Sequence, residues 1–447
     1  MSEKRSSFTS KLGFVLAAAG SAVGLGNIWR FPYLAARYGG GIFLLVYIIL
    51  TLTFGFSLMA AEIAIGRKTG QSPIGAFSAL GKKYAAVGYI GAVIPALILP
   101  YYSVIGGWVL KYMVGFVTGE GAAMATDGYF GSYISSPSEP VAWFIVFITV
   151  TAFIVILGVD KGIEKVSKIM MPVLIALTIF IAVYTICTME NAIEGVKYYL
   201  LPDFKKFSFK TVVAAMGQLF YSLSIAMGIM ITFGSYMKKD ISIEKSIHQI
   251  EIFDTGVAFL AGLMIIPAVY SFSNGVDGMN AGPGLMFITL PKIFETMPGG
   301  SIIGVVFFVM VCFAALTSSI SLMETVVAVF QDRFKMDRIK ATLTVLVVSV
   351  VLGLISVFGY SIWADFTLFK MQMLDFFDFL TNSLMMPICA LLTCVIVGYC
   401  IKPKTIIEEL EIGGKFRSKL LFKVMICAVA PVCILLILLS SFGIIKI

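Results

Sequence analysis

Long apolar runs separated by short polar breaks fill the chain from end to end. They predict membrane-spanning helices near 11–37, 41–66, 85–116, 140–158, 164–188, 210–237, 246–273, 300–332, 340–358, 371–400 and 420–443. Each run falls within or above the range of about 17–25 residues that one helix needs to cross the hydrocarbon core. A membrane β-barrel would instead show alternating segments of about ten residues. The expected fold class is therefore an all-α polytopic membrane protein with eleven spans. The longest stretches between runs, about 117–139, 189–209, 274–299 and 401–419, are too short to hold a second domain, so residues 1–447 are read as a single transmembrane domain. The first ten residues are polar, and the first apolar run is longer than a signal h-region and lacks a small-residue cleavage pattern, so no peptide is expected to be removed.

Two spans are interrupted alike. The first contains Gly20-Ser21-Ala22-Val23-Gly24-Leu25-Gly26-Asn27, and the sixth contains Gly217-Gln218-Leu219-Phe220-Tyr221-Ser222-Leu223-Ser224-Ile225-Ala226-Met227-Gly228. Glycine weakens a helix and small hydroxyl residues compete for its backbone hydrogen bonds, so both segments can open at mid-membrane. Breaks at corresponding places in two five-span halves point to an inverted-repeat transporter with one span left over. The competing reading is that the glycines serve only close helix packing.

Composition agrees: 59% of residues are hydrophobic and 13% are charged, against about 25% charged in an average soluble protein. A water-soluble globule is excluded. The net charge of +8 is not a nucleic-acid signal. With the N-terminus inside, about 23 basic residues fall on the cytoplasmic side and about 8 on the other, which follows the positive-inside rule and puts the C-terminus outside. The localisation expected is the cell membrane. The seven cysteines lie in or beside apolar runs without metal-ligand spacing and read as small hydrophobes.

Arg30, Glu62, Asp254, Glu324 and Asp378 fall within or near the ends of spans. A charge at the bilayer centre costs about 2.5–3.5 kcal/mol on insertion scales, so each needs a partner or a wet cavity. An opened helix also exposes carbonyls, which are hard-oxygen ligands for Na⁺, and half-helix N-termini, which favour a carboxylate. In the eighth span, Ala314-Ala315-Leu316-Thr317-Ser318-Ser319 offers two adjacent hydroxyls and a carbonyl one turn earlier, enough to complete a sodium cage with the first break. Such hydroxyls also commonly bond back to their own helix.

Ala22-Val23-Gly24-Leu25-Gly26-Asn27-Ile28-Trp29-Arg30-Phe31-Pro32-Tyr33, followed by Gly39-Gly40-Gly41 and Glu62, resembles the opening of the neurotransmitter:sodium symporter family. Gly217 to Ser224, then Ser235-Tyr236-Met237-Lys238-Lys239-Asp240, resembles its sixth span and the loop after it. The likeness runs from Lys11 to about Cys400. It implies the LeuT fold, a 5+5 inverted repeat with helices 1 and 6 broken (1–188 and 210–400) plus an extra span at 420–443. That family is itself a standard example of broken helices and inverted repeats.

The resemblance further implies Na⁺-coupled uptake of an amino acid, with two sodium sites. One sodium would take the carbonyls of Ala22 and Ser222, the side chains of Asn27, Ser222 and Asp254, and the substrate carboxylate. The other would take carbonyls from Gly20, Val23 and Ala314 and the hydroxyls of Thr317 and Ser318. Tyr102 would donate to the substrate carboxylate. Leu25, Ile98, Ile105, Tyr221, Ser224, Ile225, Ala226 and Met227 would surround the substrate side chain, with Ala22, Gly26, Ser222 and Ser318 completing the contacts. Monoamine carriers of the family hold an aspartate where this chain has Gly24, so an amino acid is expected, and the apolar pocket suggests a hydrophobic or aromatic one.

The outer gate implied is Arg30 with Asp378 under the aromatic lid Tyr221, and the inner latch is Arg5 with Asp332 near Tyr236. Gly162 and Pro172 in span five match a Gly-x9-Pro pattern of bacterial members, where the cytoplasmic end can unwind. Several residues depart from the family. Asp254 stands where asparagine is usual, so a fixed charge is expected to replace chloride or to titrate as the empty carrier returns. Phe8 replaces tryptophan, Tyr221 phenylalanine and Ser222 threonine. The twelfth span of many relatives is missing, which leaves the oligomeric state open. The alternative is a proton-coupled or exchange carrier of the same fold. An enzyme, receptor or channel is disfavoured, because His248 is the sole histidine and neither a metal-ligand motif nor a continuous polar pore is apparent.

Overall fold

The computed structural model describes residues 7–276 and 278–442. Among these, nine helices are long and apolar enough to cross a membrane: Gly41–Thr69, Lys82–Val117, Glu139–Ile156, Val159–Thr188, Ile243–Ser273, Gly300–Phe334, Arg338–Phe358, Met373–Cys400 and Lys419–Ser441. They are spans 2 to 5 and 7 to 11 in chain order. Span 1 is the pair Lys11–Ala22 and Gly26–Arg37, bent by 56° at the break between them. Span 6 is Phe209–Ser222 followed by Ile229–Ser235. The chain is thus an all-α polytopic membrane protein with helices 1 and 6 broken.

Both breaks have local causes. The first half of span 1 starts at Ser10, whose hydroxyl accepts from the Gly13 amide at 3.0 Å, and ends where Val23 turns extended. The helix resumes three residues later as a π-helical turn over Gly26–Arg30. In span 6, Ser224, Ala226 and Gly228 take positive φ of 52°, 63° and 72°. L-residues with a side chain rarely adopt that region, so tertiary contacts must hold the two non-glycines there.

Those contacts come from span 2 and span 1. Span 2 packs on the second half of span 6 through a reciprocal pair of glycines. A Cβ on Gly66 would lie 1.9 Å from the Ile231 carbonyl oxygen, and one on Gly234 would lie 2.5 Å from that of Ile63. Small residues let backbones approach in this way where lipid supplies no hydrophobic drive between helices. Span 3 is the best enclosed, with 78% of its membrane window buried, against 33% for span 11 at the periphery. The first half of span 1 is enclosed as well, with every residue from Gly13 to Ala22 buried.

Substituting Gly66 by leucine is expected to destabilise the protein by about 1–3 kcal/mol, the usual cost of overpacking. Gly256→Ala should have little effect, because a Cβ there meets nothing within 4 Å. Thermal unfolding of the purified variants checks the contrast.

Candidate functional site

The two breaks face each other. Ser21 of span 1 donates its hydroxyl to the Ser224 hydroxyl at 3.1 Å, and Ser224 donates to the Ser21 carbonyl at 3.0 Å. Gln218 donates its amide to the Gly26 carbonyl at 3.0 Å. The Ala226 amide, freed by the left-handed turn, donates to Glu62 Oε1 of span 2 at 2.7 Å. Glu62 is therefore held inside the bilayer by a backbone group that the break itself exposes. Its role was not legible from its position alone, because its partner exists only once span 6 opens.

Between the breaks lies a cavity of about 30 Å³ whose lining includes Gly24, Tyr102, Tyr221, Ser224, Met227 and Ser318. The Leu25 amide donates to the Tyr102 hydroxyl at 3.3 Å. Gly24 is where a side chain would obstruct the site: a Cβ would stand 2.7 Å from Ser318 Oγ and 3.0 Å from the Tyr102 hydroxyl. A Cβ on Gly26 would meet the Tyr221 ring at 2.4 Å. Ala22, Gly26 and Ile98 also line the cavity, whereas Leu25, Ile105, Ser222, Ile225 and Ala226 are buried without lining it. Ser21, Ile229 and Leu322 line it as well, beyond the sequence expectation. Helical spacing offers a signal for Leu322, which lies one turn beyond Ser318.

Next to this cavity, Asn27, Ser222 and Asp254 converge. Asn27 Nδ2 is 2.7 Å from Asp254 Oδ1 and 3.0 Å from Ser222 Oγ, and Ser222 donates to Asp254 Oδ1 at 2.8 Å. Tyr47 of span 2 donates to Asp254 Oδ2 at 3.2 Å. All four residues are fully or almost fully buried. The sequence reading missed Tyr47, which sits in an ordinary aromatic stretch with nothing local to mark it.

On the other side of the first break, Ser318 Oγ lies 3.4 Å from the Gly20 carbonyl, 3.2 Å from that of Ser21 and 3.3 Å from that of Val23. Thr317 Oγ1 lies 3.1 Å from the Ala314 carbonyl. A Cβ on Gly20 would stand 3.3 Å from Thr317 Cβ, so the two spans touch here. Thr317 also donates back to the Phe313 carbonyl at 3.0 Å, so its hydroxyl bonds within its own helix while that of Ser318 reaches span 1.

The gate residues fall at the two ends. Arg30 lies over the Tyr221 ring at 5.5 Å. Asp378 takes Tyr101 at 3.3 Å and Asn382 at 2.5 Å, and no direct ion pair joins it to Arg30. At the opposite end, Arg5 lies outside the described residues, and Asp332 accepts from the Ser72 amide at 2.7 Å. Tyr236 donates to Glu324 at 2.8 Å, and Arg338 pairs with Glu324 at 2.5 Å. Glu324 thus finds a cation at the start of span 9, a partner that sequence separation hides. Phe8 packs edge-on against Phe14 and Phe233. In span 5, Gly162 lies in a π-helical segment, Val159–Glu164, and Glu164 accepts from the Thr9 amide at 2.7 Å. That bond ties the start of span 1 to the end of span 5 expected to unwind.

Comparison with known proteins bears on the family and the fold. A family model described as the sodium:neurotransmitter symporter family matches residues 5–126 and 130–446. The chain is 35% identical to an uncharacterized sodium-dependent transporter, YhdH, of Bacillus subtilis (strain 168), over 100% of both chains. It is 27% identical to the sodium- and chloride-dependent GABA transporter 2 of Rattus norvegicus, over 79% of this chain and 67% of that one. Among solved structures, MhsT in complex with L-phenylalanine superposes with a TM-score of 0.89 at 35% identity, covering 98% of this chain and 100% of the other.

Glu62→Ala is expected to leave the Ala226 amide unpaired in the membrane interior and to cost about 1–3 kcal/mol. Glu62→Gln keeps an acceptor and should retain most of that stability. Denaturation of the two variants side by side separates a bond to the break from a role for the charge.

Proposed function

We propose that this chain, which belongs to the sodium:neurotransmitter symporter family, imports a hydrophobic or aromatic amino acid together with sodium by alternating access. The observation that carries this reading is the meeting of Asn27, Ser222 and Asp254 beside the cavity at Gly24 and Tyr102. The cavity has no carboxylate among its lining residues to pair with a lone substrate amine, which favours a substrate that carries its own carboxylate. An amino acid does so; a monoamine does not. The solved relative MhsT holds L-phenylalanine, and the mostly apolar lining with adaptable Met227 suits that class of side chain.

Two sodium sites follow from the same surroundings. Ala22, Asn27, Ser222 and Asp254 would hold one ion next to the substrate carboxylate, which the Tyr102 hydroxyl would also meet. Gly20, Val23, Ala314, Thr317 and Ser318 would hold the other across spans 1 and 8. Asp254 supplies a negative charge within the first set, which supports transport without chloride. The outer gate would close as Tyr221 settles beneath Arg30, with Asp378 opposite. The inner latch would combine Arg5 and Asp332 with the Tyr236–Glu324–Arg338 chain.

The whole chain would form one membrane domain, with 1–188 and 210–400 as inverted repeats and 420–443 beside them. The N-terminus would face the cytoplasm and the C-terminus the outside, as the basic loops require. The protein acts as a carrier, not an enzyme. Each sodium entering at 100 mV contributes about 2.3 kcal/mol of electrical work, so stoichiometry sets how steeply uptake follows voltage.

Uptake of labelled phenylalanine, leucine and tryptophan into proteoliposomes should require an inward sodium gradient and be competed by other apolar amino acids. Preference for lysine or glutamate would sink the substrate assignment. Uptake without sodium would favour a proton-coupled or exchange carrier of the same fold. Replacing chloride by gluconate should leave uptake intact in the wild type, while Asp254→Asn should weaken sodium activation at least several-fold. Wild-type uptake that vanished in gluconate would refute the role given to Asp254.

A further inference from the structure

A second and larger cavity, about 900 Å³, lies away from the central site, where the second half of span 1 ends and span 6 begins. Its lining includes Arg37, Lys206 and Lys210, together with Tyr33, Tyr38 and Tyr198. None of the three cations is ion-paired among the described residues, although other lysines of the chain are. Two of them rest on aromatic side chains: Arg37 lies 5.9 Å from the Tyr33 ring centre and 6.0 Å from that of Tyr38 and donates to the Tyr33 hydroxyl, and Lys206 lies 4.8 Å from the Tyr198 ring centre. Such contacts hold a cation in place without neutralising it. The amino end of the helix Phe209–Ser222 opens at the same place and adds its partial positive charge.

The segment that carries these lysines is built for a membrane interface. Leu201, Phe204, Phe207 and Phe209 are 64%, 70%, 53% and 47% exposed. They alternate with Lys205, Lys206 and Lys210. Aromatic and aliphatic side chains between lysines are characteristic of chain that lies at headgroup level, its apolar side chains in the acyl boundary and its ammonium groups at the phosphates. The pocket is also firmly framed. Tyr198 donates its hydroxyl to the Ala36 carbonyl at 2.6 Å. Gly39, at φ 96°, lets the chain approach Lys206, whose Cβ would stand 3.1 Å from a Cβ at that position.

We propose that this cavity is a binding site for the headgroup of an anionic phospholipid, with Arg37, Lys206 and Lys210 facing the phosphate and the exposed phenylalanines beside the acyl chains. Cavity, unpaired cations and interfacial segment are independent of the transport reading, so the site stands even if that reading fails. Its consequence rests on the reading. A bound phosphate bridges the outer half of span 1, through Arg37, to the start of span 6, through Lys206 and Lys210. It therefore fastens together the two half-helices beside which the gate Arg30–Tyr221 lies.

The test is native mass spectrometry of the purified full-length protein with equimolar phosphatidylglycerol and phosphatidylcholine. Wild type should retain phosphatidylglycerol preferentially, and Lys206→Gln/Lys210→Gln should lose that preference about ten-fold. Arg37→Gln provides a second reduction should the double variant fold poorly. Lys197→Gln, whose partner is Glu194, should behave as wild type. Equal retention of the two lipids by wild type, or unchanged preference in both pocket variants, overturns the proposal. Displacement of the lipid by millimolar inorganic phosphate would assign the pocket to a soluble anion and overturn the lipid assignment. Phosphatidylglycerol dependence of lipid retention without any sodium-driven uptake would leave the site standing and refute the transport reading alone.

Discussion

A helix opened inside a bilayer must pair every backbone group it frees, because hydrocarbon offers no water to do so. The whole centre of this protein follows from that constraint. The Ala226 amide goes to Glu62, the Gly26 carbonyl to Gln218, the Ser21 carbonyl to Ser224, and the Gly24 amide to Asn27 Oδ1 at 3.1 Å. Each partner comes from a side chain that the break brings close. The remaining carbonyls, those of Gly20 and Val23 among them, turn toward Ser318. A site rich in oxygen thus arises from satisfying the backbone.

The same constraint ranks the charges. Glu62, Glu324 and Asp254 are buried to within 2% of complete enclosure, which is costly without partners. Glu324 meets a cation, Arg338, and Glu62 meets a backbone amide. Asp254 meets Asn27, Ser222 and Tyr47, all neutral donors. Of the three it alone is held beside the cavity without a cation, which is the condition a sodium ion would complete. Outside the centre, Arg67 is clamped by Glu409 at 2.7 Å and by the Ile241 carbonyl at 2.7 Å. That arrangement fastens a loop and has no open valence.

Motif residues were the most legible part of the site. Asn27, Ser222 and Asp254 could be grouped in advance because a matched family pattern places them together, and the structure brings their side chains within 3.0 Å of one another. Glu62 and Glu324 could be flagged as buried charges from hydropathy. Their partners could not be named, since Ala226 lies 164 residues from Glu62 and Arg338 begins a different span from Glu324. Tyr47 carried no sign at all, because an aromatic residue in a membrane helix is ordinary until the neighbouring helix is known; Leu322 could be found only by counting one turn on from Ser318.

By itself, the sequence determined the order of the long apolar helices, the sites of the two breaks and the side toward which the basic loops are expected to face. Those properties depend on local composition: apolar run length, glycine and hydroxyl content, and the cost of moving lysine across a bilayer. Only the tertiary structure decided which side chain satisfies each freed backbone group, which way the buried carboxylates point, and that Gly24 and Gly66 stand where a single carbon would collide with another span. Those outcomes depend on contacts between helices far apart in the chain, whose separations no local pattern encodes.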